Sequence, residues 1–377
     1  MGRTRFSLIF LVIILAVPLV GAVAIPDFPK STVTVTGYWK FWDKDSNLRD
    51  LKYARVEVWD YNATTSHTLL GVAYTNSDGY YSITVTSTEV EGPDIYDKIF
   101  ACNGHSVWVG ASFNDTNTTY FYSTEDEVYW NIGGGTLNLG MRNIPYDDYR
   151  WAYYIYDLIA DDAWNYLYYT VGWDNHYNLG VQWHLNNFGS SYYDNSVEGI
   201  NVGHLDRRDP DVILHEYGHF VMHKIYTNYP THDCTGHVWY LPFSEECGWK
   251  EGWPTYLQAA IQGDKFYEDM DNAYLIYSLE MPLHPSSQIE LTGADVESVV
   301  AAALWDVFDS EVEVWDKLAS GIQDAWEIVD IENPYTAIEF ESDWLGSSSG
   351  SNCSLINIFD HLEIGNAVCI FLPFSRK

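Results

Sequence analysis

The sequence predicts a multidomain α+β chain: an N-terminal all-β sandwich followed by a mainly helical domain with a small sheet. Three observations predict it. From about Thr32 to Leu139 the chain runs in short stretches rich in Val, Thr, Tyr and Trp, broken by Gly, Asn and Asp. After Asn143-Ile144-Pro145 the apolar period becomes helical, with Trp151, Ile155 and Ile159 on one stripe. At 377 residues and 47% hydrophobic content, the chain is long enough to bury a core in each part.

The first residues read as a targeting segment. Arg3 and Arg5 supply positive charge, Phe6 to Val20 an apolar run, and Ala22-Val23-Ala24 a small-residue cleavage site. This predicts a signal peptide over 1–24, a sandwich over 25–142 and a second domain over 143–377, in a secreted protein. An uncleaved segment would instead anchor the chain to a membrane, and no later stretch is apolar enough to span one. Sequons at Asn62, Asn114, Asn117 and Asn352 agree with export. The net charge of −34 excludes nucleic acid as a partner, because phosphate recognition needs Lys and Arg clusters. Five cysteines in an oxidising compartment leave at least one unpaired. The pairs nearest in sequence are Cys234 with Cys247 and Cys353 with Cys369, and the connectivity stays open.

In the sandwich, Val33 to Trp39 and Arg55 to Asp60 alternate as half-buried strands do, and Asn76-Ser77-Asp78-Gly79 makes the turn into Tyr80 to Val85. About seven strands fit the length. Gly37-Tyr38-Trp39, Ala54 to Asp60 and Tyr74 to Tyr81 together resemble a transthyretin-like or carboxypeptidase-regulatory-like module, which implies a stabilising or substrate-presenting appendage. The Trp and Tyr side chains suit sandwich packing better than a glycan-binding or peptide-binding face. Asp43-Lys44-Asp45-Ser46-Asn47 has the acids of a calcium loop but lacks its Gly and closing Glu, and reads as a solvated hairpin loop.

The second domain opens with a helix over Asp147 to Leu167, followed by strands at Leu179 to His184 and Gly199 to His204. Its centre is His215-Glu216-Tyr217-Gly218-His219, inside the apolar frame of Val212-Ile213-Leu214 and Phe220-Val221-Met222. Two histidines four apart on a helix share one face and can hold one zinc ion, and Glu216 between them is placed to take a proton from a zinc-activated water. The bland reading of the same residues is a buried helix with two satisfied core histidines. Catalytic zinc takes three protein ligands, so a third comes from elsewhere. The metzincin extension fails, because Met222 stands where that pattern needs Gly and Ile225 where it needs His. His223, one turn past His219, swings away from a zinc held by the first two on a straight helix.

Ser191 to Asp194, Ile200 to Gly203 and Asp211 to His219 resemble the gluzincin group of secreted zinc peptidases, the thermolysin-like and fungalysin-like enzymes, which makes the second domain zincin-like. The resemblance implies that Glu251, in Trp249-Lys250-Glu251-Gly252-Trp253, is the third ligand; Glu245, Glu246 and Asp233 are the alternatives. It also implies that an edge strand holds an extended substrate, which would put Gly199, Ile200, Asn201, Val202 and Gly203 along the cleft. Two residues depart from the pattern. Thr255 stands where thermolysin-like enzymes carry an Asp that orients a zinc histidine, and Pro254 interrupts the helix after the ligand.

The oxyanion donor is open among Tyr256, His284 and Tyr335. Glu297 to Asp309 resembles a helix of related secreted peptidases, where Glu297 and Asp306 either back the ligands or are core-edge acids, the second being the simpler reading. Asp264, Glu268, Asp269 and Asp271 are numerous enough for calcium but read first as a solvated face. Ser347 to Ser351 reads as a flexible loop.

The function expected is that of a secreted zinc metallopeptidase acting on peptide or protein, with Zn2+ and an option on Ca2+; the oligomeric state has no signal. The competing classes are a non-catalytic extracellular binding protein on the same scaffold, and a zinc hydrolase of other amides or esters.

Overall fold

The computed structural model describes residues 31–64, 66–89, 91–174, 177–269, 275–311, 314–347, 352–365 and 367. The predicted signal segment, Asp271, most of the Ser347 to Ser351 loop and Cys369 lie outside the described residues. The architecture is the expected one, a β-rich region followed by a helical region with small sheets.

The β-rich region contains β1 Ser31–Trp42, β2 Leu48–Asp50, β3 Arg55–Asp60, β4 Thr68–Tyr74, β5 Tyr80–Ser87, β6 Ile95–Phe100, β7 Val107–Gly110, β8 Phe121–Ser123 and β9 Gly135–Asn143. Eight of these form two four-stranded sheets: β1 with β2, β5 and β9, and β4-β3-β6-β8. The turn at Gly79, which sits at φ +70, therefore crosses from one sheet to the other. Alternation places Val33, Val35, Trp39 and Phe41 of β1 and Val56 and Val58 of β3 in the core. Across the core, Trp39 and Tyr81 of one sheet both donate to Asp97 on β6 of the other. The Asp43 to Asn47 stretch is the hairpin loop between β1 and β2, with Asp43 accepting from the backbone N–H groups of Asp45 and Asn47.

The ninth strand, β7, leaves the sandwich. It pairs in parallel with β10 Leu179–Gln182, which pairs in parallel with β12 Gly199–Asn201, and β11 Tyr192–Asp194 closes the sheet antiparallel to β12. Between the two regions the predicted first helix is α1 Arg150–Asp157, a π-helical turn Leu158–Ala163 and α2 Trp164–Val171. Asp157, Asp161 and Asp162 come together at that turn, and Arg49 and Lys52 from the β2 side pair with them. This is a charged seam between the two regions.

The helical region is built on α3 Pro210–Ile225 and α4 Glu245–Gln262, with the hairpin β13 Phe266–Asp269 and β14 Leu275–Ser278, then α5 Glu297–Phe308, α6 Gly321–Glu332, α7 Ala337–Gly346 and α8 Asn352–His361. Asp209 caps α3 by accepting from Asp211 and Val212 N–H, with Pro210 in the first turn; Ser244 caps α4 through Cys247 N–H. Pro254 does not break α4, contrary to expectation. The lost backbone bond is offset by packing: an added Cβ at Gly218 on α3 would lie 2.7 Å from Pro254 Cα, so the two helices touch backbone to ring there. Among the described residues, no helix is long and apolar enough to cross a membrane.

Candidate metal centre

The close Gly218–Pro254 contact sets where Glu251 arrives. His215 and His219, one turn apart on the buried face of α3, stack edge to face with ring centroids 4.8 Å apart. From α4, Glu251 brings Oε2 to 3.4 Å from His215 Nε2 and 3.0 Å from His219 Nε2. Zinc bonds of about 2.0–2.1 Å in a tetrahedron separate neighbouring ligand atoms by about 3.3 Å, so these two nitrogens and one oxygen fit that ion. Both rivals on the first turn of α4, Glu245 and Glu246, and Asp233 stay out of this group. Burial alone would raise the Glu251 carboxyl, but the facing imidazoles hold it well below the usual range.

The outer ring nitrogens are also fixed. His215 Nδ1 lies 2.9 Å from Thr255 Oγ1, and His219 Nδ1 3.4 Å from the Tyr229 hydroxyl. Glu216, between the two histidines in sequence, is buried, and that burial, with Glu251 adding to it, pushes its carboxyl up to about 7. His223 turns away and bonds Tyr193 through Nδ1 at 2.6 Å, tying α3 to β11.

His215, Glu216, His219 and Glu251 line one side of an open cavity of about 750 Å3. One rim is Ser190, Ser191, Tyr192, Tyr193 and Asn195, that is, β11 and its flanks. The expectation for Gly199 to Gly203 is corrected here. Gly199–Asn201 forms an inner strand paired on both sides, and all five residues from 199 to 203 are buried off the cavity, so the free edge is β11. The opposite wall is the segment 232–239, tied to the first turn of α4 by the Cys234–Cys247 disulfide. Cys102 is a buried free thiol, and the proposed partner of Cys353, Cys369, is not described.

None of the three proposed oxyanion donors reaches the cavity. Tyr256 is fully buried against Trp253 and Phe308, His284 packs on Tyr240, and the Tyr335 hydroxyl donates to the Asn228 carbonyl at 2.8 Å. Polar side chains that do line it include His237 and Tyr229, which the sequence does not single out for this role because they sit in irregular chain with no periodic signal. His237 Nδ1 meets the Cys234 carbonyl at 2.9 Å and Nε2 meets Glu297 Oε2 at 3.2 Å. Both neighbours are acceptors, so both nitrogens donate, and the Glu297 contact raises the ring to about 9. The Tyr229 hydroxyl is pushed up by burial and stays protonated. Asp306, on the same helix as Glu297, is buried and does not line the cavity.

Among the described residues the acids Asp264, Glu268 and Asp269 do not gather into a ligand set; Asp264 instead accepts from Phe266 N–H and Glu268 N–H donates to Asp211. The calcium option gains no site there.

Residues 168–340 match the family model described as the Mycolysin C-terminal domain. No curated protein matches the chain. Among solved structures, the chain is similar to a 9R-lipoxygenase from Cyanothece PCC8801 at 17% identity and TM-score 0.22, over 35% of this chain and 24% of that one. It is also similar to an (S)-allantoin synthase at 12% identity and TM-score 0.19, over 31% and 42%. The chain thus spans less than half of either, and these likenesses are too slight to bear on fold or function.

Proposed function

We propose that this protein is a secreted zinc metallopeptidase that hydrolyses peptide bonds, with His215, His219 and Glu251 as ligands and Glu216 as general base. The observation that carries the reading is the convergence of two Nε2 atoms and one carboxylate oxygen at zinc-ligand spacing on the wall of an open cleft. The match of residues 168–340 to the Mycolysin C-terminal domain supports a secreted, thermolysin-like peptidase context. The Cys234–Cys247 bridge supports an oxidising compartment.

Zinc, when bound, supplies a Lewis acid for the scissile carbonyl and lowers the pKa of water. The rest falls to the chain. Glu216, kept near neutrality by burial, takes a proton from the attacking water on one carboxylate oxygen and hands it to the leaving amine. An extended substrate adds to the free edge of β11, where Tyr192 and Tyr193 line the cleft. Tyr229 offers its O–H to the carbonyl oxygen as charge builds on it, and the His237 ring, whose two N–H groups are held by Cys234 and Glu297, adds positive charge on the same cleft wall.

The test is zinc content and peptide hydrolysis of the purified full-length protein beside Glu216→Gln. One zinc per chain in both, with hydrolysis reduced about 10²–10⁴-fold in the variant, is the expected result. Absence of zinc from the wild type overturns the ligand set. Zinc without peptide cleavage moves the reading to another amide or to an ester.

A further inference from the structure

Glu297, the first residue of α5, is buried and uses both carboxylate oxygens in opposite directions. Oε1 accepts the Thr255 hydroxyl proton at 2.9 Å, while Oε2 faces His237 Nε2 at 3.2 Å. Thr255 has a single proton and gives it to Glu297, so its oxygen meets His215 Nδ1, 2.9 Å away, with a lone pair. His215 Nδ1 must then carry hydrogen, which turns Nε2 toward the point shared with Glu251 and His219. Helix packing makes this reach possible. An added Cβ at Gly252 would lie 2.8 Å from Val300 Cβ and 2.9 Å from the Glu297 carbonyl, so only glycine lets α5 come this close to α4.

We propose that Glu297 is a positioning residue with two charges of duty: through Thr255 it fixes the ring and tautomer of His215, and directly it holds His237 on the cleft wall. This rests on the zinc peptidase reading above. The threonine thus lengthens by one hydroxyl what a directly bonded carboxylate would do, and it lets the same acid serve the opposite wall.

The experiment measures zinc affinity by chelator competition, alongside kcat and KM, on the full chain. Glu297→Ala and Thr255→Val should each weaken zinc about 10–100-fold. The double variant should bind no more weakly than the worse single one, because both break the same line, and Thr255→Ser should restore binding. Glu297→Gln keeps an acceptor for Thr255 but offers His237 an amide N–H it cannot donate to. It should hold zinc within about threefold of wild type and lower kcat about tenfold. Additive losses in the double variant, or wild-type zinc affinity in Glu297→Ala, overturn the proposal. If Glu297→Ala does not fold, the Thr255→Val and Thr255→Ser pair decides, since a packing role would be preserved by Val and not by Ser. A wild type that binds no zinc condemns the peptidase reading instead.

Discussion

Asp97 in the sandwich and Glu251 in the helical region are both buried carboxylates, and they are buried to different ends. Asp97 collects donors that cannot be exchanged: Trp39 Nε1 at 3.0 Å, the Tyr81 hydroxyl at 2.7 Å and the Thr124 hydroxyl at 2.6 Å, with Arg142 at 3.3 Å. Its environment is closed, and it locks one sheet to the other. Glu251 faces two imidazole nitrogens whose protons can come off, and it does so on the wall of an open cleft. A cation can replace those protons. Burial of an acid therefore says little by itself; what its partners can give up separates a structural acid from a ligand.

Exchange of the two acids should separate the two roles. Glu251→Ala should bring zinc content close to zero and hydrolysis below detection, while the melting temperature of the metal-free protein at pH 8 stays within about 2 °C of wild type. Asp97→Ala should do the reverse, costing about 3–5 kcal/mol of stability because Trp39, Tyr81 and Thr124 lose their shared acceptor and buried Arg142 keeps only the exposed Glu127 as counter-charge, with zinc per folded molecule unchanged. Metal analysis and thermal melts on both proteins make the check, and loss of zinc in Asp97→Ala would erase the distinction.

Gly218→Ala tests whether helix spacing links stability to the metal. The new Cβ would sit 2.7 Å from Pro254 Cα, so separating α3 from α4 should cost about 1–3 kcal/mol and also weaken zinc, as Glu251 rides on α4. A stability loss without any change in zinc affinity would mean that Glu251 follows by side-chain movement alone.

The smallest effect belongs to the seam between the regions. Burial raises Asp157 from 3.8 to about 8, against the pull of Arg49, with Asp161 and Asp162 adding to the rise and Lys52 opposing it. Between those values the folded chain holds a proton that the unfolded chain releases, so stability falls as pH rises from 4 to 8. Melting should therefore be higher at pH 6 than at pH 8 by roughly 2 °C, and Asp157→Asn should flatten that difference. An unchanged slope in the variant would assign it to other groups.

Much of this was legible in the sequence where the signal is local. Helical spacing put His215 and His219 on one face, and alternation found β1, β3 and β5. Cys234 and Cys247 were near enough in sequence to suggest a bridge. The misses depend on partners far along the chain. Which of β11 and β12 is the free edge is decided by pairing with β10, and nothing in Gly199 to Gly203 itself encodes it. Tyr256 looked available as a donor, yet α6 and α5 bring Trp326 and Phe308 around the Trp253–Tyr256 cluster and bury it. Glu297 read most simply as a core-edge acid, because its two partners lie 42 and 60 positions back and meet it only when α4 and the 232–239 wall close on α5.

The strand β7 has a consequence for inheritance. It bridges Cys102 and Thr119 on the sandwich side and hydrogen-bonds β10 on the other, so one short piece of chain belongs to both neighbours. A recombination that carried off residues 143–377 by themselves would leave β10 with an open, adhesive edge beside Leu179 and Val181. The two parts are thus poor candidates for shuffling as separate cassettes, and descent should keep them together or move them only with the donated strand.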